Sequence, residues 1–162
     1  MKKLNFILFI AVLMISVPGM AGNPPQNVAN AFGKMYPKAK DIAWSQQGDY
    51  FIAEFTMNEL EKEVWFDNQA NWIMTQTDLE SADLLSPAVY NSFAIGQYST
   101  WQIDNVTLVE FPNRTPVSVI EVEQDNNVAT EYQLFYSQDG VLQRTRNVTY
   151  SNDILWPGCF SF

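Results

Sequence analysis

The chain contains no histidine. This excludes the Ser-His-Asp and Cys-His constellations and most catalytic zinc sites. It has a single cysteine, Cys159, in the closing run from Trp156 to Phe162. One thiol makes no internal disulfide, so the fold must rest on its core. Cys159 then reads either as a buried, inert thiol near a docked C-terminus or as one half of an intermolecular disulfide. Basic residues are scarce, 9 Lys and Arg against 18 Asp and Glu. No phosphate-binding glycine loop is present, and no nucleophile sits beside a base. No cofactor motif is read.

The only long apolar run is at the start. Lys2 and Lys3 precede Leu4 to Val17, apolar apart from Asn5 and Ser16, and Pro18 to Ala21 then offers small residues, Gly19 and Ala21, at the minus-three and minus-one positions. This is the pattern of a secretory leader cleaved after Ala21. The run is short for a membrane span, and no cysteine follows it to carry a lipid. Removing the leader removes two lysines and no acid, so the remainder carries 7 − 18 = −11. That balance argues against nucleic acid, whose phosphates need clustered Lys and Arg. It also argues against anionic membrane surfaces. The expected location is a periplasm or beyond, without stable membrane insertion once the leader is gone.

What remains is rich in aromatics, 14% of the chain, as expected of a folded protein. Val28, Ala31, Phe32 and Met35 recur at helical spacing, and Pro37 ends the helix by forcing Tyr36 out of helical geometry. Strands are predicted at Lys38 to Ser45, Tyr50 to Met57, Leu60 to Phe66 and Trp72 to Thr77, joined by short polar turns. In the second of these, Phe51, Ala53, Phe55 and Met57 point one way, and Tyr50, Ile52, Glu54 and Thr56 the other. Ser86 before Pro87 marks a second helix over Ala88 to Gln97, with Val89, Phe93 and Gly96 on one face. Extended chain from Ser99 to Phe111 and strands at Val117 to Glu123, Ala129 to Tyr136 and Val141 to Val148 complete a second unit.

The two units superpose in order and polarity. Tyr36 matches Tyr98, Ile52 to Phe55 matches Val119 to Val122, and Val64 to Asp67 matches Leu134 to Ser137. The expected fold is α+β: a tandem duplication of a helix plus a four-stranded antiparallel meander. Two helices would pack on one face of a curved sheet of about eight strands. The expected divisions are a leader at 1–21, repeats at 22–80 and 81–150, and a tail at 151–162.

The first unit resembles the PepSY-like, beta-lactamase-inhibitor-like family of exported bacterial proteins. The residues that carry this are Tyr36 and Pro37, Trp44, the run Tyr50 to Phe55, Val64 to Asp67, Asn71 to Thr75, and the pieces at Asp78-Leu79 and Ser86 to Val89. The resemblance covers about residues 27 to 148 and is strongest in the first half. Gln69 and Ala70 stand where a glycine-containing turn is expected, as at Asp139 and Gly140. The resemblance implies tandem units with helices on one face and the other face open. In the inhibitors for which the family is named, the open face grips an enzyme. PepSY domains more broadly are associated with restraining peptidases. The resemblance brings no catalytic residues, and a fold alone does not transfer an activity.

By the alternation, the open face should carry Tyr50, Ile52, Glu54, Glu61, Glu63, Trp65, Trp72 and Met74. The second unit should add Val117, Val119, Glu121, Glu123, Glu131, Phe135, Leu142, Arg144 and Arg146. Tyr, Trp, Met and Arg are enriched at interface centres, so the face reads as a surface for a protein partner, an enzyme among the options. The competing reading is that these residues pack across strands, or under the C-terminal tail, and bind nothing. A carbohydrate-binding module is the alternative function, with Trp44, Trp65, Trp72 and Trp101 stacking on sugars. Glu54 with Glu61 or Glu63 is a formal carboxylate pair for glycoside hydrolysis, but an acidic strand face also protects against aggregation. Asp67 to Asn71 faintly resembles a calcium loop and lacks its glycine and closing glutamate. Asn105, Asn113 and Asn147 begin formal glycosylation sites.

Overall fold

The structure is a computed structural model that describes residues 23–126 and 128–162. The leader at 1–21 and its cleavage site lie outside the described residues. Helix α1, Gln26–Met35, buries Val28 and Phe32. It ends where expected: Tyr36 leaves helical geometry at φ −127° and ψ 61°. Met35 stays exposed, and the Tyr36 ring fills that end of the core against Phe55, centroid to centroid 4.6 Å.

Four strands follow: β1 Lys40–Gln47, β2 Tyr50–Met57, β3 Leu60–Asp67 and β4 Trp72–Asp78. A short 3-10 turn leads to helix α2, Pro87–Ala94. The Ser86 hydroxyl accepts from the Val89 N–H, and Pro87 takes the first helical position, where its missing donor is not needed. Then come β5 Gln102–Glu110, β6 Val117–Asn126, β7 Val128–Ser137 and β8 Leu142–Asn147. All eight strands form one antiparallel sheet in sequence order. The first four strands meet the last four where β4 pairs with β5, from Thr75 with Glu110 to Asp78 with Thr107.

Both helices lie on the same face. Val28 and Phe32 pack on Ala53, Phe55, Val64 and Phe66. Val89 and Phe93 pack on Val106, Ile120, Val122, Leu134 and Tyr136. The period-two reading of β2 is correct residue by residue. Trp72 is a correction. Trp65 pairs with Met74, but Phe66 pairs with Trp72, leaving Ile73 bulged between them. The bulge rotates Trp72 to the helix face, where its indole N–H donates to Thr75 Oγ1 at 2.9 Å. Met74 stays on the opposite face.

The two β-turns that differ in their glycine make a natural pair. Ala70 has φ +67° and Gly140 has φ +85°, both in the left-handed region. A Cβ on Gly140 would lie 2.5 Å from the Ala88 carbonyl oxygen of α2. Gly140→Ala is therefore expected to destabilise the fold by about 2 kcal/mol or more. Ala70→Gly should stabilise it by up to about 1 kcal/mol, since the left-handed cost exceeds the lost methyl. Urea denaturation checks both, and equal effects at the two turns would contradict the pairing.

Candidate functional site

The face opposite the helices carries Ile52, Trp65, Met74, Val109, Val117, Val119 and Phe135. This much apolar area needs a cover, and the chain after β8 provides it. The Val148 N–H still bonds to the Glu131 carbonyl, and Asn147 and Thr149 side chains shape the turn. The chain then crosses the sheet and ends in a 3-10 turn at Pro157–Phe160. Leu155, Cys159 and Phe160 face inward, with Phe160 only 1% exposed. The Phe160 ring meets Phe111 and Phe135 edge-on at 5.1 and 5.5 Å.

The open face is thus a correction. Ile52, Met74 and Phe135 are buried, and Trp65 is 2% exposed. The physical reason is the tail at 151–162, which lies across them. Of the other expected face residues, Tyr50 is half-buried against Trp65, Glu54 and Arg144 are exposed, and Glu121 is half-buried. Tyr50, Glu54, Glu121 and Arg144 thus remain on this face, while Trp72 has left it.

A crossing segment outside the sheet ladder has main-chain carbonyls to satisfy. Side chains of the sheet and its turns supply the donors. Arg146 donates to the Asn152 and Ile154 carbonyls at 3.0 and 3.1 Å. Gln133 donates to the Asp153 carbonyl, and Gln76 to the Leu155 carbonyl at 2.9 Å. Arg144 reaches the Cys159 carbonyl at 2.7 Å and Arg114 the Phe160 carbonyl at 2.6 Å. Six carbonyls are held by five side chains.

Two of those donors are shared with half-buried carboxyls. Gln76 also donates to Glu63 Oε1 at 2.7 Å, and Gln133 to Glu121 Oε1 at 2.5 Å. Each pair is directly cross-strand, β3 to β4 and β6 to β7. Burial pushes both carboxyls up to about 7. Nearby acids push the same way, Glu54 on Glu63, and Asp153, Asp104 and Glu131 on Glu121. Hydrogen bonds from Trp65 to Glu63 and from Gln133 to Glu121 oppose this and lose.

Gln76, Gln133 and Arg114 were missed in the sequence. Gln76 and Gln133 had a signal: each lies two residues from an expected face residue, Met74 and Phe135. Arg114 sits in a turn, where alternation says nothing. The other candidates are used internally. Asp67 spends its carboxylate on the Gln69 and Asn71 N–H groups and the Asn71 amide of its own turn. Glu63 is engaged as above, so the carboxylate pair with Glu54 is not a free pair. Trp44 packs edge-on to Phe32 at 5.3 Å, and Trp101 lies against Tyr98 and Tyr132 at 5.2 and 5.5 Å. Beside that last group is a shallow cleft of about 430 Å³, lined by Gln97, Tyr98, Trp101, Gln124, Thr130 and Tyr132.

Comparison with known proteins fits this architecture. The family model described as "Putative beta-lactamase-inhibitor-like, PepSY-like" matches residues 49–144, more than half of the chain. The chain belongs to this family. Among solved structures it is similar to a DUF2874 family protein from Bacteroides ovatus, 50% identical with a TM-score of 0.82. That match covers 87% of this chain and 99% of that one. A BLIP-like protein from Bacteroides fragilis is 39% identical over 84% of this chain and 94% of that one, with a TM-score of 0.78. A structure from Bacteroides eggerthii, titled "putative periplasmic proteins", is 39% identical over 82% of this chain and 94% of that one, with a TM-score of 0.77. A periplasmic or secreted location agrees with that relative. Among the described residues no helix is long and apolar enough to cross a membrane. No curated protein matches the chain.

The carboxyls give a pH prediction. Their folded values stand above the ordinary 4.5, so the folded state keeps protons that the unfolded chain releases. Their contribution is full below 4.5 and is lost as pH rises through about 7. Glu63→Gln and Glu121→Gln, which mimic the protonated form, should each stabilise by about 1–3 kcal/mol at pH 8. Neither should change stability much at pH 4. Denaturation of each variant at both pH values checks this, and no gain at pH 8 would contradict it.

Proposed function

We propose that the chain is an exported, non-catalytic binding protein that holds and restrains another envelope or secreted protein through the sheet face opposite its helices. The observation that carries this is the margin left on that face beside the closing segment, where Tyr50 on β2 is half-buried and Glu54 on β2 and Arg144 on β8 are exposed. Five side chains of the face hold the carbonyls of the closing segment and so fix the surface beside that margin. Tyr50, Glu54 and Arg144 would make the accessible margin of the contact, with Glu121 beneath it. Ile52, Trp65, Met74 and Phe135 lie beneath the closing segment and support that margin from below. Membership of an inhibitor-like family supports the same reading. Nothing in the site supplies a nucleophile with a base.

Affinity capture with residues 22–162 from envelope extract of the host tests the proposal. Trp65 and Trp72 are poor positions to alter, since one is core and the other lies under α1. Tyr50→Ala with Arg144→Glu leaves both helix-side cores untouched. A protein retained by the wild type should be reduced at least tenfold with the double variant, at unchanged circular dichroism. Equal retention by both would count against this face.

A second reading, sugar binding, now rests on the cleft at Tyr98, Trp101 and Tyr132 alone, where aromatic rings adjoin amide side chains. A glycan array lacking any signal that depends on Trp101 would remove it.

A further inference from the structure

A groove of about 350 Å³ opens where three stretches of chain meet: the bulged Ile73, the turn from Phe111 to Arg114, and the closing segment at Pro157, Phe160 and Ser161. Local sequence builds it. The one-residue slip that carries Trp72 to the helix face leaves Ile73 packed against the opposite core. Pro112 and Pro116 bracket the turn and restrict its backbone. Pro157 opens the 3-10 turn that supplies the far wall. The interior is apolar, with the Phe111 and Phe160 rings edge-on and their centres 5.1 Å apart. The mouth is charged. The Arg114 guanidinium lies 3.6 Å from the Phe111 ring centre and 5.7 Å from that of Phe160. A guanidinium has several N–H donors, yet Arg114 makes one hydrogen bond, from Nη1 to the Phe160 carbonyl. Arg146, by contrast, donates to Gln133, Asn152, Ile154 and the Cys159 sulfur. Among the described residues no carboxylate acts on Arg114, in a chain with 18 acids. Its charge is therefore unspent at the point where the apolar walls converge.

We infer that this groove is a binding site for a small free carboxylic acid with an apolar body, aromatic or branched aliphatic. The body lies against Ile73, Phe111 and Phe160, and the carboxylate accepts from the open N–H groups of Arg114. A planar guanidinium matches a carboxylate through two parallel N–H bonds. Apolar walls with a single placed charge are the usual makeup of a small-molecule site, and this volume falls at the lower end of that range. A sugar finds few partners here, since beside Arg114 only Asn113 and Ser161 are polar. A phosphate ester brings a second charge, and no second cation lines the groove. A cation is repelled. The walls are tied down, Arg114 by the Phe160 carbonyl and Ile73 by the core, so little ordering is left for the ligand to drive. The closing segment stays in place and forms one wall. The groove shares no residue with the margin proposed for a protein partner, so either reading can fail without the other.

The probe is hydrocinnamate, titrated against residues 22–162 by calorimetry and by heteronuclear NMR. Saturable binding with a Kd on the order of millimolar or tighter is expected. Hydrocinnamamide, the same body without the charge, should bind about tenfold more weakly or worse. Arg114→Gln keeps a donor for the Phe160 carbonyl and removes the charge. It should weaken the acid by the same factor and leave the amide unchanged. Ile73→Trp fills the groove and should abolish binding of both. If either variant does not fold, the wild type decides, through the difference between acid and amide and through movement of the Ile73 methyl and Arg114 Nε–H signals. Equal binding of acid and amide, no saturable binding up to about ten millimolar, or shifts confined to other residues would overturn the inference. A short peptide ending in phenylalanine that binds more tightly than the free acid would also overturn it, by assigning the groove to a chain terminus.

Discussion

Donation from sheet side chains into the main-chain carbonyls of the closing segment is the interaction on which the rest depends. An antiparallel sheet has two faces to account for. Here two helices account for one. The other carries Trp65, Met74 and Phe135, too much apolar surface to leave in water. The cover is a segment without regular secondary structure over most of its length, and burying such a segment strands its carbonyls unless donors meet them. Gln76, Gln133, Arg114, Arg144 and Arg146 meet them. Without those side chains, the apolar gain from Leu155 and Phe160 would be set against several unpaired polar groups.

The same donors tie the cover to the charge state of the face. Glu63 and Glu121 sit beneath the segment and share their amide partners with it. In a chain with twice as many acids as bases, burying two carboxyls favours their neutral forms. Packing, hydrogen bonding and protonation therefore meet at one place, where a modest change in any of them alters how firmly the segment lies. The family match ends at residue 144, so the covering segment lies beyond it. The strands that bear the donors lie within the match or straddle its end.

Much of this was legible in the sequence, and the failures have physical causes. Alternation in Tyr50 to Met57 and Leu60 to Phe66 was clear because each strand has one face on a helix and the other on a different core. The end of the first helix and the start of the second were legible because Pro37 and Ser86-Pro87 act through local sterics and capping, whereas the second helix, expected to Gln97, ends at Ala94. Trp72 was misplaced because a one-residue bulge at Ile73 leaves no trace in period-two patterning. The cover was weighed but not assigned, because residues 152 to 160 have no period. Their placement depends on side chains distant in sequence, such as Gln76, which is 79 positions from Leu155. Gln76 and Gln133 look like ordinary polar strand residues until the segment they hold is in view.

Cys159 makes the central claim measurable. It is the sole cysteine, lies in the covering segment and is 3% exposed. The rate at which a small thiol reagent labels it, native against denatured at one pH, reads directly whether the segment lies on the sheet. The account predicts native labelling at least a hundredfold slower than denatured, and an increase with Arg146→Gln at unchanged circular dichroism. Labelling of the native chain at the denatured rate would show the face uncovered and would contradict the account.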